Sequence, residues 1–318
     1  MGLGIPAWCE AMKIFGRRKL RWTVLTSAPG GIAGEQWGDT WFARDLVDAL
    51  CRQGQDANTT SRQNAHALDR ENDDVVVVLR GLTEVKPNRS KKNSIWILWV
   101  ISHPELVTQQ EAKRYDVVFV ASNHWKPDFV EVRPLLQATN PSRFSPKAGV
   151  ADSGDTALFV GSTRGVFRPI VQDAIAANLE LSLYGVGWQQ YVEEVQIRAE
   201  FLANADLPAA YAGARVVLND HHEYMAETGF LSNRLFDATA TATRVISDRA
   251  VGLDEVFGEV VRTYASVDEL AQITGDLEST FPPYETRLAF AKKVAENHSF
   301  DARAKELVAF VTNNREKA

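Results

Sequence analysis

Four valines and a leucine stand in a row at 75–79, and IWILWVI follows at 95–101. Runs this short, this apolar and this rich in β-branched residues suit strands buried on both faces, as in a parallel sheet covered by helices. Comparable runs are WTVLTS (22–27) and YDVVFVAS (115–122) in the first half. The second half has ALFVGS (157–162), LSLYGVG (181–187), RVVLND (215–220), RVISD (244–248) and VVRTYA (260–265). Helical periodicity falls between them. One helix is expected over 39–54, with Asp39 as its N-cap and Gly54 as its stop, and others near 169–178, 206–213, 230–242 and 267–276. PSRFSPKAGVADSGDT, 141–156, has no apolar period and reads as a linker, after which the strand-helix pattern restarts. The pattern predicts an α/β chain of two Rossmann-like, doubly wound units in succession. The terminal stretch reads as two more helices, broken near His298 and Ser299.

A length of 318 residues exceeds what one ordinary core uses, and 45% apolar with 24% charged residues is a globular composition. The net charge of -6 weighs against a nucleic-acid partner, whose phosphates call for a basic stripe. Cys9 and Cys51 form neither a disulfide framework nor a Cys-x-x-Cys pair, which suits a cytoplasmic location. No apolar run approaches the roughly 20 residues of a membrane helix. The segment 1–20 lacks the order of a secretory signal. Its Trp8, Met12, Ile14 and Phe15 lie beside Arg17, Arg18 and Lys19, with Arg21 just beyond. Two readings stand: a packed leader, or a surface helix making peripheral contact with the inner face of a membrane.

In open parallel sheets, ligands bind beyond the carboxyl ends of the strands, so chemistry is sought there. After the first strand, APGGIAGEQWGD (28–39) places Gly30 and Gly31 before a helix, with Glu35 and Asp39 following. It lacks the Gly-x-Gly-x-x-Gly spacing of a dinucleotide fold, and the chain has no Gly-Lys-Ser/Thr phosphate loop. Arg80 ends the valine run and must reach solvent or an anion. His103, in WVISHPE, follows the Trp-rich strand and suits a base, a donor to a sugar hydroxyl, or a structural hydrogen bond. FVGSTRGVFRP sets Gly161, Ser162, Arg164 and Arg168 after a strand, where amides and guanidinium groups suit a diphosphate. Asp220, His221, His222 and Glu223 raise the question of a metal, but adjacent histidines at a strand end point apart, and no metal is expected. Asn233 and Arg234 open the 230–242 helix, whose dipole and free amides favour an anion.

VGSTRG, LYGVGW, AYAGARVVLND, GFLSNRLFDATATATRVISD and GLDEVFG…VVRTYASVDEL, in that order, resemble the donor half of GT-B glycosyltransferases. The likeness is to the CgeB-like, spore-maturation branch of the family 4-like retaining enzymes. The glycine loop and VISHPE are similar to the acceptor half. The resemblance implies two facing domains, 21–150 for the acceptor and 151–295 for the donor, after a leader at 1–20 and before a helix at 296–318 that crosses back. It implies that Gly161, Ser162, Arg164 and the amides of Gly229, Phe230, Ser232 and Asn233 hold the donor diphosphate, with Arg234 nearby. Asp237 matches the second Glu of the family's Glu-x7-Glu motif and would bind the ribose. His103 would lie near the transferred sugar, and Gly30 and Gly31 would face the donor. The first Glu of the motif falls at Gly229, the family's later glycine is Ala242, and its proline is Arg244. The expected reaction moves a sugar from a UDP, GDP or dTDP donor to a glycan or lipid-linked acceptor. It would run with retention and without a metal, and no tightly bound cofactor is implied. Were it inverting, Glu35, Asp39 or His103 would be the base. The alternatives are a nucleotide-sugar epimerase or hydrolase, or a non-catalytic binding or scaffold subunit.

Overall fold

The apolar runs become strands because each is covered on both faces: all six residues of Val75–Arg80 are buried. A computed structural model describes residues 19–64, 73–87, 94–147, 154 and 156–315. Most of the leader, with Cys9, and much of the expected linker lie outside the described residues. The first sheet contains β1 (Arg21–Leu25), β2 (Asp56–Thr60), β3 (Val75–Arg80), β4 (Ile95–Val100), β5 (Val117–Val120) and β6 (Val132–Pro134), in the order β2-β1-β3-β4-β5-β6. The second contains β7 (Ala157–Val160), β8 (Leu181–Tyr184), β9 (Ile197–Ala199), β10 (Val216–Asn219), β11 (Val245–Ser247) and β12 (Val261–Thr263), in the order β12-β11-β10-β7-β8-β9. Both ladders are parallel throughout. The pattern of runs misses β2, β6 and β9, all of them edge strands. DANTT, VRP and IRA carry no apolar run because an edge strand is not enclosed on both faces.

One face of the first sheet is covered by the helix Gly38–Arg52 together with the last helix, Phe300–Arg315. Phe300, Ala304, Leu307, Val308 and Val311 join Trp22, Leu46 and Trp99 in one buried cluster. The chain therefore returns to its first half to complete that half's core. Arg303 secures the return by donating from Nε to the Leu136 carbonyl (2.7 Å) and from Nη2 to the Gln137 carbonyl (3.2 Å). The opposite face of the first sheet takes in two residues of the second half, Met225 and Phe230. Phe230 meets Trp125 edge-on at 5.8 Å. The second half is thus tied to both faces of the first sheet.

Asp39 is not the expected N-cap. The helix begins at Gly38 after Trp37, and Asp39 sits inside its first turn, where its Oδ2 accepts from Ser27 Oγ at 2.7 Å. A buried hydroxyl at the end of β1 holds the carboxylate more firmly than the exposed amides of a helix end would. Gly54 does end the helix, at φ 79°.

Ala242 stands where the resembled family has glycine, and its φ of 60° shows why glycine is favoured there. The turn is fixed by Arg287, whose Nη1 donates to the Ala242 carbonyl at 2.7 Å. Left-handed backbone costs an L-residue about 1–2 kcal/mol, against about 0.8 kcal/mol from burying the methyl group. Ala242→Gly is expected to stabilise the protein by about 0.5 kcal/mol, read as a higher midpoint of urea unfolding with an unchanged slope.

Candidate functional site

The carboxyl ends of the two sheets face each other across a cleft of about 250 Å³. The first half contributes Ser27, Asp39, Gly81, Ser102, His103 and Gln137; the second contributes Arg164, Asp220, His221, His222, Ser232 and Asn233. A larger hollow of about 760 Å³, lined by Asn178, Gln190 and Arg198 among others, is built from the second half alone, around β8 and the 189–198 segment. It gathers none of the cleft's strand-end residues, so the smaller cleft is the candidate site.

On the first-half side, Arg80 answers the question its position raised. Its Nε donates to Glu111 Oε1 at 2.7 Å, its Nη2 to the Leu106 carbonyl at 3.1 Å, and its Nη1 to Gly81 O. The buried pair clamps the turn that follows β4, and on that turn His103 adopts φ 50°, ψ 52° just before Pro104. Its Nδ1 lies 3.1 Å from Ser102 Oγ. Burial first, then Arg164 and Arg80, push the imidazole below its ordinary pKa against the pull of Glu105 and Asp39, which keeps it neutral at pH 7. Burial pushes the Asp39 carboxyl up, against the Ser27 hydrogen bond and His103. Gly81 lies among these groups. A Cβ there would meet Ser27 Oγ at 2.7 Å and Asp39 Oδ2 at 3.3 Å, so any side chain would break into the polar cluster.

On the second-half side, the LYGVGW stretch supports the loop after β7. Gly185 has φ 139°, and a Cβ on it would sit 2.2 Å from the Gly161 carbonyl, so backbone packs on backbone there. Trp188 Nε1 donates to the same carbonyl at 3.0 Å. Three arginines surround this loop in different states. Arg168 is 3% exposed and paired with Asp220, with Nε donating to Oδ2 at 2.7 Å. Arg234 donates from Nη2 to the Val160 carbonyl at 2.6 Å and from Nη1 to Asn219 Oδ1 at 3.0 Å. Both guanidinium groups lie against Phe159. Arg164 is exposed into the cleft at φ 56°, and no described residue hydrogen-bonds to it or pairs closely with it. Burial first, then Arg168 and Arg234, lower its pKa to about 10, which leaves it a cation near neutrality.

The two adjacent histidines diverge, as residues at a strand end should. His221 has its Nδ1 2.6 Å from Asp248 Oδ1, and its Nε2 accepts the Ser232 amide at 3.0 Å, which fixes the entry to the helix Asn233–Ala240. His222 turns to the cleft, its ring centroid 4.8 Å from that of His103. Among the described residues no three His, Cys, Asp or Glu side chains converge as a metal site.

The remaining expected residues are scattered around this cleft. Asn233 lines it, with Oδ1 buried and without a partner among the described residues and Nδ2 donating to Asp237 Oδ2 at 2.8 Å. Asp237 does not open onto it; its Oδ1 accepts from Thr139 Oγ1 at 2.7 Å, and burial raises its pKa to about 8. Gly229, at φ 74°, ends the helix Glu223–Thr228; a Cβ there would approach Ser122 Oγ and the Val251 carbonyl at 3.1 Å. The motif glutamate is therefore missing where backbone geometry demands glycine. Phe230 is spent on the contact with Trp125. Glu35 is bound by Arg44, whose Nη1 donates to Oε2 at 2.7 Å. The Gly30 amide donates to Gln63 Oε1 at 2.7 Å, Gly31 caps a short helix, and neither lines the cleft. Gly161 and Ser162 lie in the loop behind Arg164. The sequence singles out none of Ser27, Gly81, Ser102 and Gln137, and it raises His222 only as a metal candidate. All but Gln137 lie within three residues of a strand's carboxyl end, the signal that would have found them.

Residues 164–309 match the family described as Glycosyl transferase-like. No curated protein matches the sequence. Among solved structures, the chain is similar to AviGT4, a glycosyltransferase involved in avilamycin A biosynthesis: 16% identity, 94% of this chain and 99% of that one covered, TM-score 0.66. It is also similar to Anabaena Alr3699/HepE in complex with UDP-glucose (12%, 92% and 99%, 0.61) and to phage T4 BGT in complex with UDP and Mn2+ (11%, 90% and 97%, 0.58). The chain therefore has the two-sheet fold of the GT-B glycosyltransferases and, across residues 164–309, a glycosyl transferase-like domain.

Proposed function

We propose that the protein transfers a sugar from a nucleoside-diphosphate sugar to an acceptor hydroxyl in the cleft between its two sheets. The observation that carries this is Arg164, a guanidinium without a close partner that faces His103 and Asp39 across the cleft. A cation left unneutralised in a partly dry cleft is a site for an anion. On this reading, Arg164 and the amides that open the Asn233 helix hold the diphosphate without a metal. Residues 21–150 take the acceptor, 151–295 take the donor, and 296–318 close the first half. The bond from the sugar's C1 to the diphosphate breaks and its electron pair leaves with the diphosphate, while the acceptor oxygen bonds to C1. The resemblance to the CgeB-like branch supports retention, with the acceptor proton passing to the departing diphosphate. His103 then contacts the transferred sugar. A lipid-linked acceptor would bring the basic 17–21 segment to an anionic membrane face.

A thermal-shift screen of nucleoside diphosphates and their sugars, with and without magnesium, tests the reading. A specific shift that needs no magnesium is expected, and no response to any nucleotide would overturn it. With the donor found, His103→Gln is expected to lower kcat by about tenfold, the loss of one hydrogen bond of about 1.4 kcal/mol to the reacting sugar. Because burial holds His103 below the usual imidazole range, the wild-type rate should persist as pH falls through 6.5 and drop only in more acid solution. The kcat/KM profile against pH, which reports the free enzyme, checks this, and an acid limb at or above 6.5 would refute the assignment of His103.

A further inference from the structure

The donor side of the cleft offers fewer free cations than its arginines suggest. Arg168 is neutralised by Asp220, and Arg234 is occupied by the Val160 carbonyl and Asn219, with Asp220 Oδ1 at 4.0 Å. Of these three arginines only Arg164 remains, and a diphosphate carries more than one negative charge. The next group on that wall is His222. It lines the cleft, its backbone is extended at φ -70°, ψ 145° just before the helix Glu223–Thr228, and its ring faces His103. His221 is held at both nitrogens, whereas among the described residues His222 makes no hydrogen bond through its ring.

We propose that His222 binds the donor diphosphate as an imidazolium, taking one proton from solvent as the nucleotide arrives and supplying the second cation that Arg168 and Arg234 withhold. The assignment rests on the glycosyl-transfer reading above. It concerns binding of the intact diphosphate, so no bond is broken in the step.

The groups around His222 set its protonation. Arg164 and Arg168 come from the loop after β7, His103 from the turn after β4, and Asp220 and His221 from the end of β10, with Asp39 across the cleft. Burial first, then Arg164, His103, Arg168 and His221, lowers the ring to about 4. A neighbouring opposite charge moves a pKa by about 1–3, so a bound diphosphate would bring His222 to roughly 5–7. His103 faces the same cleft and is the rival source of any proton taken up.

Inorganic pyrophosphate is the probe, because it presents the diphosphate without a base. Titration calorimetry at pH 6 in two buffers of different ionisation enthalpy measures proton uptake on binding. The wild-type protein is expected to take up protons beyond those pyrophosphate itself binds, and to hold pyrophosphate more tightly at pH 6 than at pH 8.5. His222→Gln should abolish that excess uptake and weaken binding about two- to tenfold at pH 6 with little change at pH 8.5. His103→Gln should keep the uptake. Excess uptake that persists in His222→Gln, or that disappears in His103→Gln, overturns the assignment while nucleotide binding still supports glycosyl transfer. If neither pyrophosphate nor any nucleotide binds the wild-type protein, both fall.

Discussion

Arg164→Ala is expected to reduce turnover by about 10²–10³-fold, the range found when one preorganised donor to a developing negative charge is removed. The size follows from what surrounds it. Arg168 and Arg234 cannot replace it without abandoning Asp220 and the Val160 carbonyl, so the leaving diphosphate would lose the one permanent free cation that the described residues bring to the cleft. Steady-state kinetics with the identified donor would show the loss mainly in kcat, since the charge on the diphosphate grows as C1 departs. A drop of less than tenfold would place the diphosphate elsewhere. Arg164→Gly separates function from fold, because the residue is held at φ 56°. Glycine removes that strain, so this variant should be as inactive as alanine yet more stable than the wild-type protein by about 1 kcal/mol. Gain of stability with loss of activity in one substitution is the mark of backbone strain kept for a site.

Asp220→Ala is expected to destabilise the protein by about 3–5 kcal/mol, the cost of leaving a buried charge unpaired. The Arg168 and Asp220 side chains are only 4% and 3% exposed. The loss extends beyond the pair, since Arg168 Nη1 also donates to the Ser162 carbonyl at 3.1 Å, and with it the loop after β7 would lose an anchor. Urea unfolding measures the effect. Arg168→Met combined with Asp220→Leu should recover most of it, because two apolar side chains leave no charge stranded. A single-variant cost below about 1 kcal/mol would show that water reaches the pair.

Most of the sheet architecture is legible in the sequence, because a strand covered on both faces has to be apolar at every position. VVVVL and IWILWV admit few other environments. DANTT at β2 does not announce itself, since an edge strand is specified by its neighbour's ladder and not by its own side chains. At the site, position was legible and partnership was not. Arg164 and Arg168 look alike four residues apart, and which one meets Asp220 depends on a contact 52 positions away. Gln137 enters the cleft from an irregular segment after β6, with Nε2 on the Ile101 carbonyl at 3.0 Å, and no local pattern marks it. Asp237 read as a ligand for ribose, yet in the fold it joins the Asn233 helix to Thr139.

The returning helix also fixes the order in which the protein can be finished on the ribosome. The first sheet's strands are complete by Pro134, but their core still lacks Phe300, Leu307 and Val311, and the ion pair of Arg52 with Asp301 spans 249 positions. At roughly 5–20 residues per second, the remaining 180 or so residues take on the order of 10–35 seconds to emerge. Through that interval Trp22, Leu46 and Trp99 wait without their cover. The second half, whose strands and covering helices are consecutive in the chain, closes first, so the half made earlier is the half that folds last. Pulse proteolysis should find the first sheet sensitive in nascent chains stalled before residue 300 and protected once the whole helix Phe300–Arg315 has emerged.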